Sequence, residues 1–314
     1  MDQADEAQTR PALGLVCITV SDEVRYRTVT RTRYLQLPPD ERREKLRDLY
    51  RSNTLTLLRA LDYCAARGIR LYRVTSDLYP MSDLEDGTGR EVLQELAPEL
   101  ARVGPRAREL GVRVVIHPDQ FVVLSSESET VRRNSVGILA GHARNLDMMG
   151  LPRNTWTAMN VHGGKGGRSR ALIDCIATLP EGIRSRLTLE NDERAYGAAE
   201  ILEVCREAGV PMVFDAHHHV VREKLPSLDD PSVEGFTALA RETWTPPEWQ
   251  LVHVSNGRDG IGDHRHHDLV TQVPRAFERV QWIEVEAKAK EVAIEALMEN
   301  WPVMRAAQGA GHGT

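Results

Sequence analysis

Eight short apolar runs rich in β-branched residues recur along the chain, and helical patterns separate them. Alternation of strand and helix indicates a parallel sheet, because parallel strands need a long crossover between them. A closed (β/α)₈ TIM barrel accounts for all eight runs in one unit, and an open doubly wound sheet is the alternative. The runs cover residues 13–20, 69–75, 112–116, 157–161, 187–189, 210–214, 251–254 and 282–285.

The helical patterns are clearest between the second and third runs. There, steps of three and four residues place six apolar side chains on one stripe of a helix, namely Leu93, Leu96, Leu100, Val103, Ala107 and Leu110. Further helices are predicted at roughly 44–67, 131–149, 197–208 and 288–299. The chain has 314 residues and no long linker, so we expect one domain over 12–300, with tails at 1–11 and 301–314.

Composition narrows the class of protein. Apolar residues make up 41% of the chain and charged residues 27%, as in globular proteins, and no apolar run reaches the length of a membrane span. The polar, acidic start lacks a secretion signal, so we expect a cytoplasmic protein. The cysteines Cys17, Cys64, Cys175 and Cys205 lie far apart, which predicts reduced, structural thiols.

Six of the predicted strands leave with a histidine or a carboxylate at or just past their last residue, in "VVIHPDQF", "NVHGGKGG", "LTLENDE", "FDAHHH", "VHVSNG" and "WIEVEAK". In a parallel barrel these ends converge on one face, where active sites are built. Residues far apart in sequence therefore become neighbours. They are His117, His162, Glu190, Asp215, His253 and Glu286.

Any one of these residues alone would be read as a hydrogen-bonded loop residue or a helix cap, and His142, inside a helical stretch, keeps that interpretation. Six on one rim indicate a metal site, since burying them together without a cation would cost several kcal/mol. Nitrogen and oxygen ligands without thiolates suit Mn²⁺, Zn²⁺ or Fe²⁺. With His218 and His266 added there are ligands for two or three ions, with Glu190 able to bridge two of them. Such clusters commonly hydrolyse phosphate esters.

The three consecutive histidines 217–219 follow Asp215 directly. If this segment is extended, its side chains alternate, and at most one or two of the histidines can face the same centre. We choose His218 and expect His217 and His219 in the wall around it. His264 and His267 are weaker candidates than His266 in the same loop.

These stretches resemble the UV damage endonuclease family, UVDE or UvsE, over about residues 12–297. The specific marks are "LGLVCIT", "RLYRVTSDLYPM", "HPDQF", "HGGKGG", "LENDERAY", "FDAHHHVVREKLP", "VHVSNG" and "IEVEAKAKE". The resemblance implies a TIM barrel of the endonuclease IV and xylose isomerase type that uses Mn²⁺, with Zn²⁺ possible. It also implies cleavage of double-stranded DNA immediately 5′ to UV photoproducts, leaving a 3′-hydroxyl and a 5′-phosphate. No membrane or obligate protein partner is implied, and we expect a monomer.

Carried over position by position, the family pattern assigns Glu190, Asp215, His253 and Glu286 to one ion. His117 and His162 would share Glu190 around a second ion, and His218 and His266 would hold a third. Glu190, His117, His162 and His253 are the implied catalytic residues. Gln120 and Phe121 match the family's amide and aromatic residue that push into the duplex at the lesion, although core packing is the plainer reading of Phe121.

The chain departs from the family pattern at two places. Some members carry a modified, metal-binding lysine two positions before the strand-seven histidine, where this chain has Leu251. A leucine cannot ligate, so a third ion should be held more weakly. Some members also present Tyr and Asn from the first strand, where this chain has Leu15 and Thr19.

The formal charge of −6 means that DNA contacts need a local concentration of cations. "HGGKGGRSR" offers Lys165 and Arg168 beside glycines whose amides can approach phosphate. "RYRTVTRTRY" offers Arg25 and Arg27, although a solvated surface segment is nearly as plausible there.

Two other functions are consistent with the rim. A metal-dependent sugar isomerase or epimerase would use the same barrel and ligands, but usually needs two ions at most and a closed pocket. A metal-dependent sensor of DNA damage would bind irradiated duplex without cutting it. The surplus of histidines and the two basic loops favour a large anionic substrate.

Overall fold

Eight parallel strands close into a barrel in the order of the chain, β1 to β8. The computed structural model describes residues 10–118 and 121–309. The closed barrel confirms the predicted TIM architecture and excludes the open sheet. The strands are β1 Ala12–Val16, β2 Leu71–Val74, β3 Arg113–Ile116, β4 Met159–His162, β5 Leu187–Glu190, β6 Met212–Asp215, β7 Leu251–Val254 and β8 Trp282–Val285.

Helices follow the strands and surround the barrel. The long helix α2 lies between β1 and β2 in the chain. Its buried face includes Leu46, Leu49, Leu57 and Leu61. The helices are α1 Arg31–Leu35, α2 Pro39–Ala66, α3 Thr88–Glu95, α4 Ala97–Leu100, α5 Val103–Leu110, α6 Glu129–Met148, α7 Ser169–Ala177, α8 Glu181–Arg184, α9 Ala198–Ala208, α10 Ala216–Glu223, α11 Pro231–Arg241, α12 Lys290–Asn300 and α13 Pro302–Gly309. Among the described helices, none has the length and apolarity to cross a bilayer.

The predicted apolar stripe between Leu93 and Leu110 is divided among three short helices, α3, α4 and α5. Leu96, between the first two, has a non-helical backbone, and Pro98 in the first turn of α4 cannot donate to the preceding turn. The stripe residues Leu93, Leu96, Leu100, Val103 and Ala107 are nevertheless buried in the main core. The apolar spacing therefore predicted the buried face correctly, but not the breaks between helices.

The chain remains ordered beyond residue 300, where we expected a tail. Helix α13 follows Trp301 directly, and Trp301 and Met304 are buried against the main core. Two large apolar side chains give this segment a reason to dock. The four cysteines are free, as expected from their spacing.

Side chains alternate between the helices and the barrel interior along each strand. At the end where the strands begin, the interior holds an apolar cluster that includes Leu71, Val115, Leu251 and Trp282. The indoles of Trp244 and Trp282 belong to this cluster, and those of Trp156 and Trp249 pack against it. We call it the tryptophan cluster. Moving up each strand by two residues keeps the side chain inside, so Leu251 and Trp282 lead to His253 and Glu284. The interior thus changes from apolar to charged toward the strand exits.

Candidate metal centre

The ends of β4 to β8 bring five of the predicted ligands to the same level of the barrel. His162 lies opposite Glu190 in the strand register, and Asp215 lies opposite His253. Glu286 follows the last residue of β8, and its amide donates to the Val254 carbonyl, which continues the β7–β8 pairing by one step. These positions share the inward side of their strands, so the alternation of the strands places them in one group.

Three groups of possible ligand atoms form within this rim. His117, His162 and Glu190 make the first group, and atoms within it lie no more than 4.8 Å apart. Glu190 also belongs to the second group, which adds Asp215 and His218. Asp215 belongs to the third, with His253 and Glu286. The two shared carboxylates link the groups into one chain, so the arrangement can hold more than one ion with carboxylates bridging them.

Glu190 is at the centre of the rim. Its Oε2 lies 3.2 Å from His117 Nε2 and its Oε1 lies 3.1 Å from His253 Nδ1. Burial raises the pKa of Glu190, but the imidazoles of His253 and His162 outweigh that effect and hold the pKa well below its ordinary value. The carboxylate is therefore ionised and buried, as a bridging metal ligand should be.

A short chain of hydrogen bonds supports Glu190 from below. Asn160 Nδ2 donates to Glu190 Oε2 over 2.5 Å, and Thr188 Oγ1 donates to Asn160 Oδ1 over 3.1 Å. Both side chains point inward one layer below the rim, and both are buried. Partners of this kind orient a ligand before the ion arrives. The sequence interpretation did not include them, because it considered only the residues at the strand exits.

His253 is fully buried among three carboxylates. Its Nδ1 lies 3.1 Å from Glu190 and its Nε2 lies 3.2 Å from Glu284. Burial lowers the pKa of His253, but Glu190, Glu284 and Glu286 together raise it to about 10. In the absence of ions the imidazole is therefore protonated at neutral pH, and its proton must leave before either nitrogen can bind a metal.

Arg73 and Glu284 are two further charged residues that the sequence interpretation missed. Both occupy inward positions in the middle of apolar strands, and Arg73 Nη1 lies 3.0 Å from Glu284 Oε2 and also pairs with Glu286 Oε1. The guanidinium therefore fixes one oxygen of Glu286 and leaves Oε2, which is 3.8 Å from His266 Nε2, toward the rim. An arginine inside "RLYRVTS" was a usable signal, since an unpaired cation would not be buried in a strand.

Three ligand atoms in the rim have no hydrogen-bond partner although they are buried. They are Nδ1 of His162, Oδ2 of Asp215 and Nε2 of His253, the last of which has Glu284 Oε2 3.2 Å away. A buried polar atom without a partner costs about 1–3 kcal/mol, so such atoms are rare in native structures. All three atoms are of the kind that divalent transition metals bind, and the donor set as a whole fits such ions.

The three consecutive histidines lie in helix α10, not in an extended segment as we expected. Asp215 Oδ1 caps this helix by accepting the His218 amide, so successive side chains point about 100° apart. His218 Nδ1 faces the rim, 3.5 Å from Glu190 Oε1. His217 instead contacts Ser255 Oγ and the Asp263 carbonyl, and His219 contacts Ser232 Oγ. Of the three, His218 is the one that faces the rim, but the alternation of an extended segment, from which we expected at most one or two to do so, does not apply to a helix.

Burial lowers the pKa of His218, but Asp215 and Glu190 outweigh it and raise the pKa to about 9. His218 Nε2 also lies 3.9 Å from Glu193, a carboxylate that the sequence interpretation did not include. Of the loop histidines, His266 reaches Glu286, whereas His264 is half exposed and His267 bonds within its own turn. His142 lies in α6, as predicted from its pattern.

The predicted DNA-contacting loops lie at the strand exits, but several of their cations already have partners. Lys165 Nζ is 3.5 Å and Arg168 Nη1 is 2.9 Å from Glu127. Arg25 pairs with Asp22, whereas the exposed side chain of Arg27 has no ion pair within the described residues. A cleft of about 590 Å³ opens between His117, His162, Lys165 and His218.

Phe121, four residues after the rim residue His117 in the chain, is 69% exposed, which rules out core packing for its ring. Gln120 lies outside the described residues. At the two family departures, Leu251 is fully buried in the tryptophan cluster and Leu15 in the main core. The hydroxyl of Thr19 accepts the Val24 amide in a buried turn. None of these three side chains is exposed on the face that carries the rim.

The chain was compared with known proteins. Residues 11–312 match the family model of the UV-endonuclease UvdE. The chain belongs to the UvdE family. A Nostoc protein named UV DNA damage endonuclease is 52% identical over 93% of this chain and 91% of its own length. One of the same name from Deinococcus radiodurans is 55% identical over 91% of this chain and 94% of its own length.

Solved structures agree with this membership. The crystal structure of SacUVDE superposes with a TM-score of 0.77 at 25% identity, over 92% of this chain and 98% of that one. Endonuclease IV from Thermus thermophilus superposes with a TM-score of 0.55 at 16% identity, over 94% and 98% of the two chains, which shows a shared fold. The UvdE family and the barrel type expected from the sequence are both confirmed.

Proposed function

We propose that this protein is a UV damage endonuclease that incises double-stranded DNA immediately 5′ to cyclobutane pyrimidine dimers and 6-4 photoproducts. The products would be a 3′-hydroxyl and a 5′-phosphate, as the opening step of excision repair. The observation that carries this proposal is the rim itself, in which three ligand groups share Glu190 and Asp215 and contain buried ligand atoms without partners. Membership of the UvdE family supplies the substrate class.

The ligands fit two or three Mn²⁺ ions, with Zn²⁺ as the alternative. One ion would take His117, His162 and Glu190. A second would take Asp215, His253 and Glu286 together with Glu190, whose Oε1 lies 3.1 Å from His253 Nδ1. His218 sits against Asp215 and Glu190, and His266 against Glu286, so both are available to a third. Leu251 supplies no ligand from below, which keeps the third site the weakest of the three.

Bound divalent ions would supply a hydroxide nucleophile at neutral pH and neutralise the charge that develops on the leaving oxygen. The protein's own residues prepare the site for this chemistry. Thr188 and Asn160 hold Glu190 in its orientation, and Arg73 holds Glu286. The tryptophan cluster closes the barrel below the rim, so water reaches it only from the strand-exit side.

Lesion recognition is proposed to depend on Phe121 and Gln120. An exposed apolar ring on the segment that follows the rim residue His117 is suited to entering a duplex at a step that damage has already loosened. The cleft between His117, Lys165 and His218 is large enough to admit displaced nucleotides. Phe121→Ala should therefore reduce the preference for damaged over undamaged DNA, while incision of the lesion-bearing strand remains detectable.

The decisive experiment uses an oligonucleotide duplex with one defined thymine dimer. With Mn²⁺, we expect one cut at the phosphodiester directly 5′ to the dimer, and the cut should disappear in EDTA. Glu190→Gln should abolish the cut, whereas Glu203→Gln, a matched change on the exposed face of α9, should leave it intact. Binding of the dimer without cutting by the wild-type protein would instead indicate a damage sensor. Ketose formation from an aldose would indicate an isomerase.

A further inference from the structure

A small cavity of about 110 Å³ lies beside the rim at the exit of β8. It is lined by two possible ligands, His266 and Glu286, and by three cations, Arg73, Lys288 and Lys290. The strands of the closed barrel follow chain order, so β8 is four strands away from β4 and lies across the mouth from it. The cavity is therefore on the opposite side of the rim from the glycine loop that carries Lys165.

The cations at this cavity differ in whether the described residues balance their charge. The guanidinium of Arg73 is paired with Glu284 and Glu286. Glu291, the carboxylate next to Lys290 in sequence, accepts the amides of Val20 and Ser21 over 2.8 Å each. In the part of the chain that the structure describes, neither Lys288 nor Lys290 has a carboxylate within ion-pair distance. The cavity therefore presents free ammonium groups next to the rim.

Lys290 also has an uncommon backbone conformation. It has a φ of +48°, a left-handed conformation that is uncommon for a residue other than glycine, and it begins helix α12. Its side chain is half-buried beside the cavity, and burial lowers the pKa of its ammonium group. A partly desolvated cation without a partner gains more from an incoming anion than a fully hydrated one does.

We propose that Lys290, assisted by Lys288, binds a phosphate of the DNA backbone next to the one that is cut. This proposal rests on the proposed nuclease function, since it assumes that DNA lies across the rim. A backbone phosphate is the anion that a DNA substrate brings to this position, and lysine binds phosphate as a point charge. Arg73 pairs with Glu286, which weakens the repulsion between this carboxylate and the phosphate.

The two sides of the rim then differ in what DNA must displace. On the β4 side, Lys165 and Arg168 must exchange Glu127 for phosphate. On the β8 side, Lys290 needs no exchange. The incised strand is accordingly expected to cross the mouth from the glycine loop to the β8 exit, with the rim between them. Lys290 should contribute a full phosphate contact, whereas the β4 cations contribute a smaller net amount.

The test measures affinity for a UV-irradiated oligonucleotide duplex in EDTA, over a series of KCl concentrations. Loss of one phosphate contact lowers the slope of log K against log salt by about 0.9 and weakens binding to all sequences alike. Lys290→Gln should show that loss, and Lys288→Gln a smaller one. Lys290→Asn provides a second variant suited to the left-handed backbone. Lys45→Gln, on α2, is the matched control and should keep the wild-type slope.

A duplex with a neutral methylphosphonate at single positions locates the contact. A methylphosphonate next to the incised bond should weaken DNA binding by the wild-type protein, but it should not weaken binding by Lys290→Gln any further. If folded Lys290→Gln and Lys290→Asn both keep the wild-type slope, the subsite is ruled out, even when the wild-type protein cuts at the dimer. If the wild-type protein fails to cut the dimer duplex while the slopes still differ, the nuclease function fails and the phosphate contact stands.

Discussion

Both ends of the barrel interior bury charged groups. At the lower end these groups have hydrogen-bond partners, whereas at the upper end some of their atoms have none. At the lower end, Arg113 donates to the carbonyls of Thr155, Trp156 and Trp249, at 2.9 Å each. Its guanidinium also lies 5.1 Å from the Trp156 ring centroid and 5.2 Å from that of Trp282. At the upper end, His162 Nδ1 and Asp215 Oδ2 are buried without any hydrogen-bond partner.

The difference separates stability from function within a single interior. A buried cation whose three guanidinium nitrogens each donate a hydrogen bond needs no further ligand. Buried acids and imidazoles whose atoms lack hydrogen-bond partners are costly unless an ion or another ligand binds those atoms. Mutations at the lower end should therefore change the free energy of unfolding, whereas mutations at the upper end should change ion binding and catalysis.

The largest expected effect is on incision, from Asp215→Asn. The variant keeps the Oδ1 atom that caps α10, because asparagine is as good a helix cap as aspartate, and replaces the orphaned Oδ2 with an amide that cannot bind a metal. Loss of a ligand shared by two groups should reduce incision by about 10³-fold or more, since even outer partners of ligands are worth 10–100-fold. Incision of a dimer duplex and Mn²⁺ binding by calorimetry measure this.

Asp230→Asn is the matched control for that variant, because Asp230 caps α11 in the same way and lies outside the rim. It should leave incision unchanged. In EDTA, Asp215→Asn should unfold close to the temperature of the wild-type protein, since the change removes both a buried charge and the attraction of that charge for protonated His218. A clear loss of stability in EDTA together with normal incision would reverse the roles assigned to the upper end.

The next effect is on stability, from Arg113→Met at the lower end. The variant leaves three partly buried carbonyls without their donor. Because an unsatisfied buried group costs roughly 1–3 kcal/mol, we expect the free energy of unfolding to fall by about 3 kcal/mol. Urea denaturation in EDTA measures it. Arg70→Met, which loses one exposed contact to the Leu110 carbonyl, should change stability by less than about 1 kcal/mol. Incision per folded molecule should be normal for both, and a catalytic defect in Arg113→Met would show that the ends are coupled.

How far the sequence predicted this contrast depends on the range of the interactions involved. The rim was predictable because parallel strands bring their carboxyl ends to one face, so His162, Glu190 and His253 needed only correct strand assignments. The layer below, with Asn160 and Glu284, needed the inward side of each strand as well. The sequence signal for this layer was the same inward and outward alternation, applied two residues before each rim residue.

Other features could not be obtained from local patterns. The ion pairs of Glu127 with Lys165 and Arg168 join a loop after β3 to a loop after β4, and nothing in either stretch requires them. The helical start of "FDAHHH" was a missed local signal, since an aspartate before a helix is a common cap. The docking of α13 depends on Trp301 and Met304 meeting a core whose shape the sequence does not display.

A third prediction concerns pH and acts through the histidines of the upper end. Without ions, His253 and His218 have pKa values of about 10 and about 9, above their unfolded value of 6.5. Their contribution to stability is complete below pH 6.5 and is lost as pH rises through these values. Ions bind only the deprotonated imidazoles, so stabilisation by Mn²⁺ should grow from pH 6.5 to 9 by up to about 1.4 kcal/mol per pH unit for each proton released.

Melting temperatures with Mn²⁺ and with EDTA, measured at several pH values, give this difference directly. The gap between them should widen as the pH rises. In Asp215→Asn the gap should be small at every pH, because the ions bind poorly. An equal gap at pH 6.5 and pH 9 in the wild-type protein would mean that these histidines are not protonated in the ion-free rim.

The smallest expected effect comes from His219→Phe. This imidazole packs against Phe236 and Phe214, with ring centroids 5.0 and 5.6 Å away, and donates to or accepts from Ser232 Oγ through one nitrogen. Its other nitrogen is buried without a partner, so a phenyl ring removes one hydrogen bond and one unsatisfied atom together. We expect the free energy of unfolding to change by less than about 1 kcal/mol, with incision unchanged. His218→Phe, one residue earlier on α10, should instead weaken Mn²⁺ binding, because its ring faces Glu190. Equal losses in both variants would mean that helix α10 as a whole, and not His218 alone, supports the rim.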